Sequence, residues 1–253
     1  MAQATVYMPD GKPFAFWDDA TRYTRVYHVA CQHPRATDEG PGTHEQPFRT
    51  INRAAQVLQP GEKVIVHEGV YRECVRPARG GAGPEQMIAY EAAPGEKVIV
   101  RGSERWKPAF RRSQDWNWGP LSEDVTVWAA DLPAEWFVGY NPFMIHNFTA
   151  EYTTFVRDWT PQETRRFLLR RGMIWANGAP LEQVLFSHEL GATPNAFWVE
   201  YPGLRIYLRL ADDADPADVE FEVTAREQVF APLVAGLGYI RVKGFIFEYA
   251  ADG

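Results

Sequence analysis

Pro60-Gly61-Glu62-Lys63-Val64-Ile65-Val66 recurs letter for letter at residues 94–100 as Pro94-Gly95-Glu96-Lys97-Val98-Ile99-Val100. A seven-residue identity within a 253-residue chain marks two copies of one structural unit. In each copy Pro-Gly makes a turn, and the polar Glu-Lys pair leads into a short β-branched run that reads as a buried strand. Helical repeat arrays do not fit, because their units rest on a 3.6-residue period and these cores have strand character.

Working outward, Met87-Ile88-Ala89-Tyr90 lies between the copies with the same character, and Tyr239-Ile240-Arg241-Val242-Lys243-Gly244-Phe245-Ile246-Phe247 returns to it near the end. Short strands separated by turns and stacked in register make a parallel β-solenoid. Upstream, residues 47–58 predict a helix. Thr50 is its N-cap, Ile51, Ala54, Ala55 and Leu58 share one face, and Pro60-Gly61 ends it. Such an amphipathic helix covers the open end of a solenoid, whose first strand is otherwise unpaired.

Residues 107–238 break this pattern. The runs 125–128, 167–169, 173–175, 196–200, 205–210 and 219–223 predict strands, and Asn177-Gly178 and Tyr201-Pro202-Gly203 supply hairpin turns. The segment reads as an inserted antiparallel β-sandwich. Along 205–210, Ile206, Leu208 and Leu210 alternate with Arg205, Tyr207 and Arg209, which predicts one core face and one wet face. The chain thus divides into an N-terminal extension (1–25), a cap with the first coils (26–106), the sandwich (107–238) and a resumed coil (239–253).

A formal charge of −7, with no Lys/Arg run, argues against nucleic acid as a partner. Cys31 and Cys74 are too few for a disulfide framework. The first residues hold no apolar stretch beyond Phe14–Trp17, and nothing later spans a membrane, so the expected location is the cytoplasm. The histidines, at 28, 33, 44, 67, 146 and 188, lack the spacing of a zinc protease. Asp212-Asp213-Ala214-Asp215-Pro216-Ala217-Asp218 has calcium-loop character without the glycine and terminal glutamate, so no cofactor is expected, and calcium stays open with no motif to support it. His67, beside Glu68 at a strand end, is placed to hydrogen-bond the next coil. Aromatic rings fill cores or stack on sugar faces, and Trp116, Trp118, Trp136, Tyr140 and Trp159 fall in loops where a core role is harder to assign.

Tyr27-His28-Val29-Ala30, Pro41-Gly42-Thr43, Gln46–Ile51 and Pro60–Glu73 together resemble the opening of right-handed parallel β-helix proteins of the pectate-lyase-like group. Val66–Glu73, Tyr90–Lys97, Arg101–Arg105, Tyr140-Asn141-Pro142-Phe143 and Val242–Phe245 are similar, in that order, to the β-xylosidases of glycoside hydrolase family 120. The resemblance implies an all-β fold, a right-handed parallel β-helix carrying the sandwich. It also implies a retaining enzyme that removes xylose from the non-reducing end of xylo-oligosaccharides by means of two carboxylates. By the same resemblance those carboxylates lie in coils after residue 253. The chain is then an N-terminal portion, inactive alone, completed by a second polypeptide and belonging to a homo-oligomer. Trp159, Tyr140, Asn141 and His146 are the implied substrate contacts, Trp159 because the family places a tryptophan after its Asn-Pro-aromatic motif. The acidic balance favours neutral xylose over pectate. Two other readings stay open: a polysaccharide lyase on uronates, which needs basic residues and calcium-binding acids, and a non-catalytic carbohydrate-binding or assembly module.

Overall fold

The computed structural model describes residues 7–13, 19–120, 125–147 and 160–251. In chain order its strands are β1 (Arg25–Val29), β2 (Glu62–Val66), β3 (Gly69–Tyr71), β4 (Ile88–Ala92), β5 (Val98–Arg101), β6 (Ser103–Trp106), β7 (Arg111–Arg112) and β8 (Trp128–Asp131). They continue with β9 (Ile174–Ala176), β10 (Ala179–Pro180), β11 (Glu182–Gln183), β12 (Ala196–Glu200), β13 (Arg205–Arg209), β14 (Phe221–Thr224), β15 (Ile240–Lys243) and β16 (Phe245–Glu248). Among the described residues two α-helices, α1 (Ile51–Val57) and α2 (Pro161–Leu168), accompany them, so the chain is mostly β. Contacts divide it into two units, one of residues 1–68, 77–96 and 232–244 and one of residues 69–76, 97–231 and 245–253.

The first unit is built on one all-parallel sheet in the order β1-β2-β4-β15. Its register aligns Tyr27, Val64, Tyr90 and Val242 in one row, and the first three of these are buried. Side chains two apart along a strand share a face, so in-register stacking puts like positions on top of one another. Helix α1 begins as its sequence predicts: Thr50 Oγ1 accepts from Arg53 N–H at 3.1 Å, and Ile51, Ala54, Ala55 and Leu58 are all buried. Arg79 donates to the carbonyls of Gln56 and Leu58 at 3.0 and 2.7 Å, satisfying groups that a helix C-terminus leaves open. Gly42 has φ +69°, and a Cβ there would lie 2.4 Å from the buried Phe48 ring, so both conformation and space require glycine.

The second unit contains a three-stranded parallel sheet, β16-β5-β3, and two further sheets, β10-β9-β14-β6 and β11-β12-β13-β8-β7. The latter two share one core, to which Trp106, Ile174, Phe221 and Val223 come from one sheet and Ala130, Phe197, Val199, Ile206 and Leu208 from the other. This is the arrangement of a sandwich. Asn177 and Gly178, at φ 49° and 79°, form the β9–β10 hairpin turn that their sequence demands.

Several expectations are corrected. The two copies of the seven-residue phrase make the same turn, with Gly61 and Gly95 at φ 81° and 80°, yet β2 and β5 belong to different sheets. What pairs with β2 is β4, because a β-branched run specifies a buried strand and not its neighbour. Residues 167–168 end helix α2 and are not strand; Pro161 in its first turn and the run Gln-Glu-Thr-Arg-Arg favour helix over an isolated apolar triplet. Residues 125–127 precede β8 without joining it, although Val127 O accepts from Ser113 N–H. Tyr207 is buried rather than wet, since it packs with Trp118, Val127, Ala129 and Leu190 on the second face of its sheet. Phe247, in the last strand, is 43% exposed.

Candidate functional site

Asn141 donates through Nδ2 to Gly203 O at 3.0 Å and accepts from Phe143 N–H at 2.9 Å, so both ends of its amide hold backbone. Tyr140 is half-buried beside it. His146 reaches Leu168 O through Nδ1 at 2.6 Å and lines a pocket of about 200 Å³ with Arg170, Gln183, Trp198 and Tyr201. That pocket's amide and guanidinium are already committed. Gln183 donates to the carbonyls of Arg170 and Gly172, and Arg170 to that of Met144. Trp159 lies outside the described residues. Of the loop rings, Trp118 is buried, while Trp116 is 43% exposed and donates to the Tyr207 hydroxyl at 3.2 Å.

A larger opening, about 550 Å³, lies in the sandwich unit. Its wall is aromatic: Trp106, Phe110 and Phe221 have ring centroids 5.1–5.9 Å apart, and Trp128 completes the lining. The rim is polar, made by Lys107 and by the turn carrying Asp215, Asp218 and Glu220. That turn is locally encoded, since Asp215 accepts from Ala217 N–H at 2.9 Å and Pro216 opens the short 3₁₀ turn it caps. Lys107, Asp218 and Glu220 are exposed, and among the described residues their side chains make no hydrogen bond or ion pair. Trp106 and Phe221 are only 2% and 3% exposed and belong to the sandwich core, so the opening presents mainly Phe110, Trp128 and its polar rim. The sequence reading missed it. The available signal was the acidic 212–220 segment running directly into an apolar strand.

In the first unit, His28 Nδ1 and His67 Nε2 are 3.0 Å apart, and His67 Nδ1 is 3.2 Å from Glu96 Oε1. Glu68 N–H donates to Glu96 Oε2 at 2.7 Å; this bond first, and then that from His67, holds the Glu96 carboxyl below its ordinary range. The Glu96 carboxylate only accepts, so His67 donates to it through Nδ1, and His67 Nε2 shares one hydrogen bond with His28 Nδ1. The result is a chain of contacts from His28 through His67 to Glu96, with His44 edge-on to both histidine rings at 5.2 and 5.8 Å. His67 thus makes the contact its position predicts. Among the described residues, no group of three or more His, Cys, Asp or Glu side chains is arranged to hold a metal ion. In the aspartate cluster, Asp213 instead pairs with Arg209 at 3.1 Å.

Burial, then the neighbouring His67 and His44, hold the His28 pKa below its usual value, while Glu45 opposes them weakly. A depressed folded-state pKa means that the unfolded chain binds the proton first. Stability from this group is therefore present above the ordinary histidine value of about 6.5 and is lost as pH falls below it. Urea unfolding of the native chain should show its midpoint falling from pH 7 to pH 5, and His28→Gln should flatten that slope. An unchanged slope in the variant would show that His28 is not the titrating group.

No family model matches the chain. YwoF of Bacillus subtilis (strain 168), described as an uncharacterized protein, is 30% identical over 69 residues, covering 27% of this chain and 14% of that protein. Among solved structures, XylC in complex with xylose aligns over 90% of this chain and 36% of its own, at 31% identity and TM-score 0.71. A glycoside hydrolase aligns over 90% of this chain and 51% of its own at 13% identity and TM-score 0.51, a likeness of fold alone. The chain therefore spans about a third of XylC and about half of the second structure. No helix among the described residues is long and apolar enough to cross a membrane. Both structural likenesses span nine-tenths of this chain.

Proposed function

We propose that this chain is part of a carbohydrate-active enzyme, specifically a retaining β-xylosidase that releases xylose from the non-reducing end of short xylo-oligosaccharides in the cytoplasm. The likeness to XylC in complex with xylose, at 31% identity across 90% of the chain, carries this reading. The succession of the chain between two all-parallel sheets, from β2 to β3, β4 to β5 and β15 to β16, supports reading these strands as coils of a right-handed parallel β-helix. In this reading the two carboxylates belong to the part of the enzyme outside the shared third, and the reaction needs no metal or cofactor. A further polypeptide segment continues the coils, and the complete enzyme is an oligomer.

The test is an assay on an aryl β-xyloside and on polygalacturonate, with the chain alone and joined to the portion of XylC outside the match. The chain alone should cleave neither. The joined protein should release xylose with retained anomeric configuration. An unsaturated product from polygalacturonate would establish a lyase, and a folded joined protein inactive on xylosides would leave only a binding or assembly role.

A further inference from the structure

We propose that His28, His67 and Glu96 form an acid-opened latch, which holds the turn at residues 41–46 against β1 while the histidine pair carries at most one positive charge and parts when both rings are protonated. It is independent of the hydrolase reading, because it rests on side chains of the first unit alone. Geometry carries it. His28 Nδ1 and His67 Nε2 lie 3.0 Å apart, with ring centroids 5.3 Å apart and planes 17° apart, so the rings meet end to end through their nitrogens rather than face to face. A hydrogen bond between two imidazole nitrogens needs one donor and one acceptor. A neutral pair meets that condition. So does a pair with one extra proton, whose charge the Glu96 carboxylate at His67 Nδ1 supports. With a second extra proton every ring nitrogen is a donor, and two cations meet with no acceptor between them.

The surrounding charges leave that conflict in place. Around the pair stand His44 and Glu45 of the turn, His33 after β1, Glu68 after β2 and Glu96. Glu45 and Glu68 are exposed, so water and salt screen them, and Glu96 is already engaged by Glu68 N–H and His67. Arg25 and Arg53 lie over the Tyr27 and Phe48 rings, on the opposite face of β1 from His28. Backbone bonds then couple the ring to the turn. His28 N–H donates to Gly42 O at 2.8 Å, and His28 O accepts from Phe48 N–H at 2.9 Å, so a displaced His28 pulls on both ends of the segment that carries His44. His44 and His67 border an opening of about 360 Å³, through which solvent protons reach the pair. The lowered pKa of His28, due to burial first and then to His67 and His44, agrees in direction.

The experiment is amide hydrogen exchange of the chain by NMR at pH 7 and pH 5, each rate divided by that of the unfolded sequence at the same pH, with ¹⁵N spectra of the histidine rings recorded alongside. Protection of the His28 and Phe48 amides should fall about tenfold or more as pH drops below the ordinary histidine value of about 6.5, while amides of β4 in the same sample keep theirs. His28→Gln and His67→Gln retain a hydrogen-bonding side chain that takes up no proton, and each should abolish the fall. The exposed His44→Gln should preserve it. Undiminished protection in the native chain at pH 5 would overturn the proposal, and so would ring spectra showing both histidines doubly protonated while the turn amides stay protected. An equal fall in the β4 amides would replace a local latch by general acid destabilisation, and an unchanged fall in the glutamine variants would assign the sensitivity to other groups.

Discussion

Glu222→Ala is expected to cost about 3–5 kcal/mol of stability, among the largest losses any single side chain here should produce. Glu222 accepts from Arg72 Nη1 and Nη2 at 3.1 and 2.9 Å, from Arg101 Nη1 at 2.7 Å and from Ser103 Oγ at 2.6 Å. Arg101 also pairs with Glu248, and Arg72 donates to Ser103 O at 2.8 Å. The side chains of Arg72, Arg101 and Glu222 are only 17–19% exposed, so removing the carboxylate strands two guanidinium groups away from water. That desolvation, more than the lost attraction, sets the magnitude. Arg205→Ala gives the contrast, because its pair with Asp131 is 40% and 61% exposed and should be worth less than about 1 kcal/mol.

The same network makes a pH prediction. Burial by itself would raise the Glu222 carboxyl, but hydrogen bonds from Arg72 and Ser103 and the two guanidinium charges outweigh it and hold the pKa below the ordinary range. Stability from a depressed carboxyl is present above the unfolded-state value of about 4.3 and is lost as pH falls through the folded value. Urea denaturation at pH 7 and pH 3 should therefore show native and Glu222→Ala chains converging in acid. A loss below about 1 kcal/mol at pH 7 would mean that the arginines find other partners.

Phe143→Ala should cost about 3–5 kcal/mol by opening a cavity in the sandwich core. The ring has no exposure and meets Phe137 and Phe197 edge-on at 6.0 and 6.5 Å. A Cβ at Gly172 would come within 2.5 Å of it, so the backbone there is moulded against the ring and cannot easily collapse into the space it leaves. Phe143→Leu, which retains most of the volume, should lose less than half as much in a denaturant titration. Equal losses would show that ring shape, rather than filled volume, is what the core requires.

These two residues show where sequence reading succeeds and stops. Asn141-Pro142-Phe143 was legible as a motif, and the resemblance assigned Asn141, with Tyr140 before it, to substrate contact. In the structure Asn141 braces a turn and Phe143 anchors a core. A short motif records that a local geometry is kept, whereas its purpose depends on what packs over it. Glu222 was legible only as one polar position in an alternating strand, and its partners Arg72 and Arg101 are about 150 and 121 residues away along the chain.

The sequence by itself determined the elements whose cause is local. Thr50 caps α1 through its own side chain, Asn177-Gly178 turns a hairpin because both residues tolerate positive φ, and β-branched runs become buried strands. Only the tertiary structure decided which strands lie side by side, sending two identical seven-residue phrases to different sheets. It alone brought residues 106–110 to residues 215–221 around one cleft, and His28 to His67 and Glu96 in one chain of hydrogen bonds. Such juxtapositions follow from the packing of whole faces, a sum over many distant contacts that no window of neighbouring residues contains.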